Sequence, residues 1–267
     1  MAVRDAEKHE VAVFSLLNEQ ETQSTQDFFE GLYDNSVPIG DFDNNTDYSP
    51  HTAKIRKTPP KNRMMYVAPF YRDSAFIFED NICTVIKHAK KRIVVCAQHV
   101  CAYQYYYPKK FASTGTEYSK SNYREGFLSE VLKQSQQGVP VTFLSQTYSD
   151  KGGNHGCSVP ENTNAFINFV EEAKKYNCHY YQNNKLHCKF IVADDTVIIT
   201  TCNFTPTQFI YLADVKIDRF ENIPNYSYAG IHCEYGAYQI IHNSILAEKF
   251  ISYARQIIEH KDSRCMF

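Results

Sequence analysis

At 267 residues the chain is long enough to bury a core without disulfide or metal staples. Lys and Arg number 28 against 30 Asp and Glu, a formal net charge of -2, which excludes a protein that grips polyanions by overall charge and leaves that task to a local patch. Nine cysteines, an odd count without framework spacing and with Cys83, Cys96 and Cys188 inside apolar stretches, point to a reducing compartment; with no apolar run of about 18 residues and no leader pattern, a soluble cytoplasmic protein without a membrane span is expected.

Residues 1–35 carry apolar groups at Val11, Phe14, Leu17, Phe28, Phe29 and Leu32, a pattern compatible with short helices. From Asn35 to Asn62 the composition shifts to Asp, Asn, Pro and Lys, with Pro59-Pro60 as a breaker. The chain is therefore divided into a helical and irregular extension, 1–62, that docks on a main domain, 63–267.

In the main domain Ile82, Val85, Ile86 and Ala89 share a helical face and Ile93 to Ala97 reads as a buried strand. The step repeats: Phe127, Leu128, Val131 and Leu132 on a helix before the strand Val139 to Leu144, then Ala165, Phe166, Phe169 and Val170 before a strand near Tyr180. Two closely spaced strands follow, His187 to Ala193 and Thr196 to Thr201, joined by the turn Asp194-Asp195. A strand at Ile231 to Tyr235 and a helix from Asn243 to about Glu259 close the chain. This order predicts an α/β sandwich in which a mixed β-sheet is flanked by helices on both faces.

The paired strands hold the polar residues that stand out against an apolar background: His187, Lys189, Asp194, Thr200, Thr201 and Asn203. Strand alternation sets His187 and Lys189 on one face, with Ile191 and Ala193 continuing it. An imidazole and an ammonium side by side suit phosphodiester chemistry, which needs a nucleophile for phosphorus, cations or donors on the non-bridging oxygens and an acid for the leaving oxygen. His187 supplies the nucleophile in this reading, and Lys189 and Asn203 the phosphate clamp. A second triplet, His88-Ala-Lys90, lies on a helix with no Asp at the right distance and no following Asn, and is assigned no function.

The run His187-x-Lys189-x4-Asp194, continuing to Asn203, resembles the His-x-Lys-x4-Asp motif of the phospholipase D superfamily, and the likeness in element order extends from about Phe76 to Glu259. Thr200-Thr201 stand where the family has Gly-Ser, and the spacer from Asp194 is one residue short; Thr201 keeps a hydroxyl for substrate, but the missing glycine changes how closely the backbone can approach a phosphate. The resemblance implies a phospholipase D-like fold with a metal-independent site, no cofactor and a covalent phosphohistidine. The family pairs two such motifs and this chain has one. The resemblance therefore implies a homodimer in which two His187 side chains face each other, as in single-motif bacterial nucleases. One His attacks while the other acts as acid and base, so activity should peak near the unperturbed His value of about 6.5. Asp194, within the motif, is more often structural in the family; Glu234, in "HCEYG", is the better match to the acid that orients the imidazole.

Between Ala102 and Phe127, Tyr103, Tyr105, Tyr106, Tyr107, Tyr118 and Tyr123 interleave with Lys109, Lys110, Lys120 and Arg124. Aromatic faces that stack bases and lysines that meet phosphates suit nucleic acid, DNA or RNA, and Tyr105, Lys109 and Lys110 are the expected substrate contacts. Two other readings share the sequence: a lipid phosphodiesterase on the same chemistry, and a catalytically silent nucleic-acid-binding protein. His155, Cys157, Cys178 and His179 offer soft ligands, but their spacing matches no zinc motif, and no metal is expected. His99, at the end of the first strand, reads as a core or rim residue.

Overall fold

A computed structural model describes residues 9, 16–34, 36, 56–57, 61, 63–68, 71, 76–106, 123–146, 160–209 and 235–267. The described elements run α1 (Glu19–Asp34), β1 (Met64–Val67), α2 (Ile77–Lys87), β2 (Ile93–Ala97), β3 (Gln104–Tyr106), β4 (Tyr123–Glu125), α3 (Phe127–Gln136), β5 (Val141–Ser145), α4 (Pro160–Ala173), β6 (Cys178–Asn183), β7 (Phe190–Ala193), β8 (Thr196–Thr200), α5 (Pro206–Phe209), β9 (Gly236–His242), α6 (Ser244–Glu259) and β10 (Ser263–Cys265). Eight strands form one sheet in the order β1-β9-β8-β7-β2-β5-β6-β10, and β3 pairs with β4 apart from it. The sheet is mixed: β2, β5 and β6 are mutually parallel, whereas β7, β8, β9 and β1 join by antiparallel pairing, as β10 does on β6.

The expected α/β architecture is present, and its cause is legible in side-chain period. β2 is apolar at every position and wholly buried, as a central strand covered on both faces must be. Its odd-numbered residues Ile93, Val95 and Ala97 pack with Phe78, Ile82 and Ile86 of α2, Leu128 of α3 and Phe166 and Phe169 of α4. Its even-numbered Val94 and Cys96 pack on the other side with Ala247, Phe250, Ile251, Ala254 and Ile257 of α6. Those α6 residues recur at three- and four-residue steps, one stripe of a helix, and Asn243 caps the helix by accepting from the Leu246 amide at 2.9 Å.

Helix α1 packs beside β1, where Phe28 stacks on Tyr66 with centroids 4.4 Å apart and Arg63 pairs with the buried Glu21 carboxylate at 2.9 Å. Of the expected strand Ile231 to Tyr235, residues 231–234 lie outside the described residues and Tyr235 is not in a strand; pairing is described for β9, Gly236–His242, where Tyr238 and Ile240 alternate with Gln239 and Ile241. Among the described residues Cys83, Cys96, Cys178, Cys188, Cys202 and Cys265 are free thiols, whereas Cys101 is disulfide-bonded, a departure from the fully reduced set expected. No described helix is long and apolar enough to cross a membrane.

Candidate active site

The carboxyl ends of β2, β5 and β6 lie along one edge of the sheet. The antiparallel strands bring the start of β7, the end of β8 and the start of β9 to the same edge. Crevices outside the carboxyl ends of strands are where open α/β sheets bind ligands. Here the chain makes an unusual crossing, because β6 ends at Asn183 and β7 begins at Phe190 while β5 and β2 stand between them. Residues 184–189 therefore run over the ends of two strands, across roughly 14 Å at the usual strand spacing.

Side-chain alternation along that crossing is settled by packing. Leu186 and Cys188 are buried with Phe190 and Val192 in the α6-side core, and Ile191 and Ala193 face the opposite core. His187 and Lys189 accordingly share the face of Ile191, the geometry expected, although sheet pairing starts only at Phe190 rather than at His187. The amides ahead of Phe190 are engaged elsewhere: His187 and Cys188 both donate to the His9 carbonyl, at 3.2 and 2.9 Å, and His9 donates to the Lys185 carbonyl at 2.8 Å. From below, a chain of amides holds the crossing: Gln98 donates to Gln146 Oε1 at 3.2 Å, and Gln146 donates to the Asn184 carbonyl at 2.9 Å.

His187 is half-buried. Lys189 is only 9% exposed, and its Nζ donates to the His187 carbonyl at 2.6 Å, so the ammonium is folded back along the segment that carries the imidazole. The Lys189 carbonyl accepts from Thr200 at 3.2 Å, which docks the end of β8 beside it. Asn203 follows, with its Oδ1 accepting from the His99 amide at 3.2 Å; the Nδ2 hydrogens are then the donors it can offer an anion. Residues 98–101 run alongside: Phe204 donates to the His99 carbonyl at 2.9 Å and Cys101 to the Phe204 carbonyl at 3.0 Å. The fold thus brings His187, Lys189 and Asn203 to one edge, with half-buried Gln98, His99 and Gln146 beside them. Sequence motifs missed the two glutamines; the available signal was a polar residue directly following each of two buried strands.

Three expected site residues sit differently. Asp194 is at the far end of β7, five residues and about 17 Å along the chain from Lys189. It adopts a left-handed φ of 52° and accepts from the amides of Lys90, Lys91 and Arg92 at 2.8, 2.7 and 3.1 Å. Burial would raise its carboxyl, but the three amides outweigh it and hold the group below the ordinary range. Asp194 closes a turn and is too distant to touch a substrate at His187. Thr201 is committed as well: its Oγ1 accepts from the Ala237 amide at 2.9 Å, so this hydroxyl ties β8 to β9 rather than standing free for phosphate. Across the strand pair a Cβ on Gly236 would collide with Cys202 Sγ, so the start of β9 fits beside β8 only as glycine.

Tyr105 is the third correction. It is fully buried, and its hydroxyl donates to Glu79 Oε2 at 2.6 Å; burial, then the Glu79 charge, pushes the phenol well above its usual range. Burial likewise raises the Glu79 carboxyl, which also accepts from Arg124 at 2.6 Å and from the Phe127 amide at 2.9 Å. This hub knots α2, the β3–β4 hairpin and the start of α3 together, so Tyr105 belongs to the core instead of a base-stacking face, and Arg124 is held at its base. Lys109, Lys110 and Glu234 lie outside the described residues, as do His155 and Cys157. Cys178 is buried and the adjacent His179 exposed on opposite sides of β6, and no group of three potential metal ligands occurs among the described residues.

No protein-family model matches the sequence, and no match is found among curated proteins. Solved structures similar to this chain include Nuc from Salmonella typhimurium, described as a phospholipase D family member, at 16% identity over 76% of this chain and 95% of that one, with a TM-score of 0.43. NucT from Helicobacter pylori is similar at 10% identity over 73% of this chain and 95% of its own, TM-score 0.41. Phosphatidylserine synthase from Haemophilus influenzae Rd KW20 is similar at 11% identity over 76% of this chain and 39% of its own, TM-score 0.43. Identities of this size assign no chemistry to any residue.

Proposed function

We propose that this chain is a phosphodiesterase of the phospholipase D type that cleaves nucleic acid through His187 without a metal ion. The observation that carries the reading is the crossing at residues 184–189: it sets His187 and Lys189 on one face at the carboxyl ends of the central strands, and the Lys189 ammonium is bonded to the His187 carbonyl at 2.6 Å. Asn203, oriented by the His99 amide, adds a neutral donor beside this charge.

In the proposed reaction a neutral His187 attacks phosphorus. A P–N bond forms as the P–O bond to the leaving group breaks, and a protonated His187 of the partner subunit in a homodimer gives its proton to the leaving oxygen. Water then attacks the phosphohistidine, losing its proton to the partner's His187, and the P–N bond breaks to return His187. Lys189 and Asn203 stabilise the charge that builds on the non-bridging oxygens. Glu234 fits as the carboxylate that orients the imidazole, and Lys109 and Lys110 as contacts to the nucleic-acid backbone; Asp194, Thr201 and Tyr105 take structural roles. Lys109, Lys110 and Lys120, interleaved with Tyr107 and Tyr118, favour a nucleic acid over a lipid.

The test is cleavage of labelled single-stranded and duplex DNA and RNA in excess EDTA at about pH 6.5, wild type beside His187→Ala. Cleavage that survives EDTA and disappears in the variant supports the reading and identifies the polymer. Turnover of a lipid phosphodiester alone would transfer the chemistry to that substrate, and binding without cleavage of either would leave a silent binding protein.

A further inference from the structure

The crossing that carries His187 and Lys189 holds a second lysine on the same side. Lys185, His187 and Lys189 alternate with Leu186 and Cys188, which are 0% and 3% exposed and packed in the α6-side core. Residues two apart in extended chain are separated by about 7 Å, so the three side chains form a row along the sheet edge, starting near the end of β6. Lys185 is fixed there by its own backbone, donating from its amide to Asn183 Oδ1 at 2.8 Å and accepting from the His9 amide.

Around Lys185, His9 and residues 260–263 converge. The His9 ring meets the His260 ring edge-on with centroids 5.0 Å apart, and Asn183 Nδ2 lies 3.5 Å from His9 Nε2 while donating to Ser263 Oγ at 2.8 Å. Burial, then His260 and Lys185, hold His9 below its ordinary range. Asp262 pairs with Lys185 at 3.2 Å and approaches His260 Nδ1 at 3.5 Å; Lys261 and Arg264 are exposed nearby in sequence. Both members of the Lys185–Asp262 pair are half-buried, and a phosphate reaching Lys185 would compete with this carboxylate.

We propose that Lys185, with the His9 and His260 imidazoles beside it, forms a second phosphate site that holds the phosphate next to the scissile one in a single-stranded polynucleotide. The proposal rests on the phosphodiesterase reading of His187 and deepens it: the row is one-dimensional, positively charged and stepped at a regular interval, which matches a polymer of phosphates and gives a lipid with a single phosphodiester nothing further to bind. The His9 carbonyl, bonded to both the His187 and Cys188 amides, ties this second site mechanically to the first.

The experiment measures binding by the full-length His187→Ala protein, which does not turn substrate over, to a labelled single-stranded oligonucleotide and to a dinucleotide with one phosphodiester, over a range of salt. Adding Lys185→Gln should lower oligonucleotide affinity several-fold and reduce the slope of log affinity against log salt by about 0.7, the share of one phosphate contact, while the dinucleotide changes less than two-fold. His260→Gln, a second variant with the ion pair intact, should lower oligonucleotide affinity in the same sense. An unchanged slope in Lys185→Gln, or equal losses on both probes, overturns the second site. Because binding is read without turnover, EDTA-resistant cleavage with an unchanged slope removes only this inference. A reduced slope in a protein that never cleaves removes only the nuclease reading.

Discussion

Two His-x-Lys triplets occur in this chain, His88-Ala-Lys90 and His187-Cys-Lys189, and the fold sets them at opposite ends of one sheet. The first lies at the end of helix α2, where His88 Nδ1 is 2.6 Å from the Thr84 carbonyl, the Lys90 amide donates to Asp194, and both side chains are exposed. The second rides an extended crossing whose alternate residues are buried, so that its imidazole and ammonium share a face. Identical letters carry different chemistry because a helix end followed by a turn spreads positions i and i+2 apart, whereas extended chain aligns them. The Asp of the motif falls at the first triplet's end of the sheet and serves that turn, leaving the second triplet with Asn203 and the glutamine amides as neighbours.

The largest expected effect divides the two triplets outright. His187→Ala should lower phosphodiester cleavage by about three powers of ten or more with a melting temperature close to wild type, since a half-buried imidazole contributes little packing; full activity in that variant would end the nucleophile assignment. Lys189→Ala should cost about 10²- to 10³-fold in turnover, the scale of losing one group that stabilises transition-state charge. Near-normal turnover there would leave the ammonium a structural tie to the His187 carbonyl.

Asp194 sharpens the same contrast on the stability side. Asp194→Ala should destabilise the fold by about 1–3 kcal/mol, because three amides lose their acceptor and a left-handed position loses a residue suited to it; chemical denaturation measures the loss, and cleavage per folded molecule should be retained. The wild-type carboxyl is held below the ordinary carboxylate range by the three amides. Its stabilisation is therefore complete above the ordinary carboxylate range and disappears as pH falls through the depressed folded value. The stability gap between wild type and Asp194→Ala should accordingly shrink on acidification below about pH 4 and stay constant above it. A gap independent of pH down to the acid limit would mean that the charge contributes nothing to the turn.

Local period made most of the sheet legible in the sequence. The apolar run Ile93 to Ala97 and the helical stripes of α2, α3, α4 and α6 announce themselves because burial on one or both faces imposes a period. The short pieces are harder. β1, β3, β4 and β10 have three or four residues each, too few for alternation to show, and they are selected by tertiary pairing. β9 begins at Gly236, a residue without strand propensity, because the absence of a Cβ there is what admits the strand beside Cys202. Within the site, His187 and Lys189 were readable as a motif. Tyr105 was misread because a tyrosine suited to stacking and one buried on a carboxylate look alike until Glu79, 26 positions away, is brought to it. Gln98, Gln146 and His9 carry no motif, since they act through bonds to main-chain or side-chain amides that only the crossing at 184–189 creates.

The smallest expected effect is the most exacting check on the comparison. Replacing both members of the first triplet, His88→Ala with Lys90→Ala, removes two exposed side chains but no amide, so Asp194 keeps all three of its donors and the turn into β2 is preserved. The His88 contact to the Thr84 carbonyl is solvent-exposed, and its loss should change stability by no more than about 0.5 kcal/mol. Cleavage at the far edge of the sheet should be unchanged, and the same protein should still respond to His187→Ala with the full loss. A tenfold fall in turnover in the double variant, at unchanged stability, would place the first triplet within reach of substrate and break the distinction between the two ends.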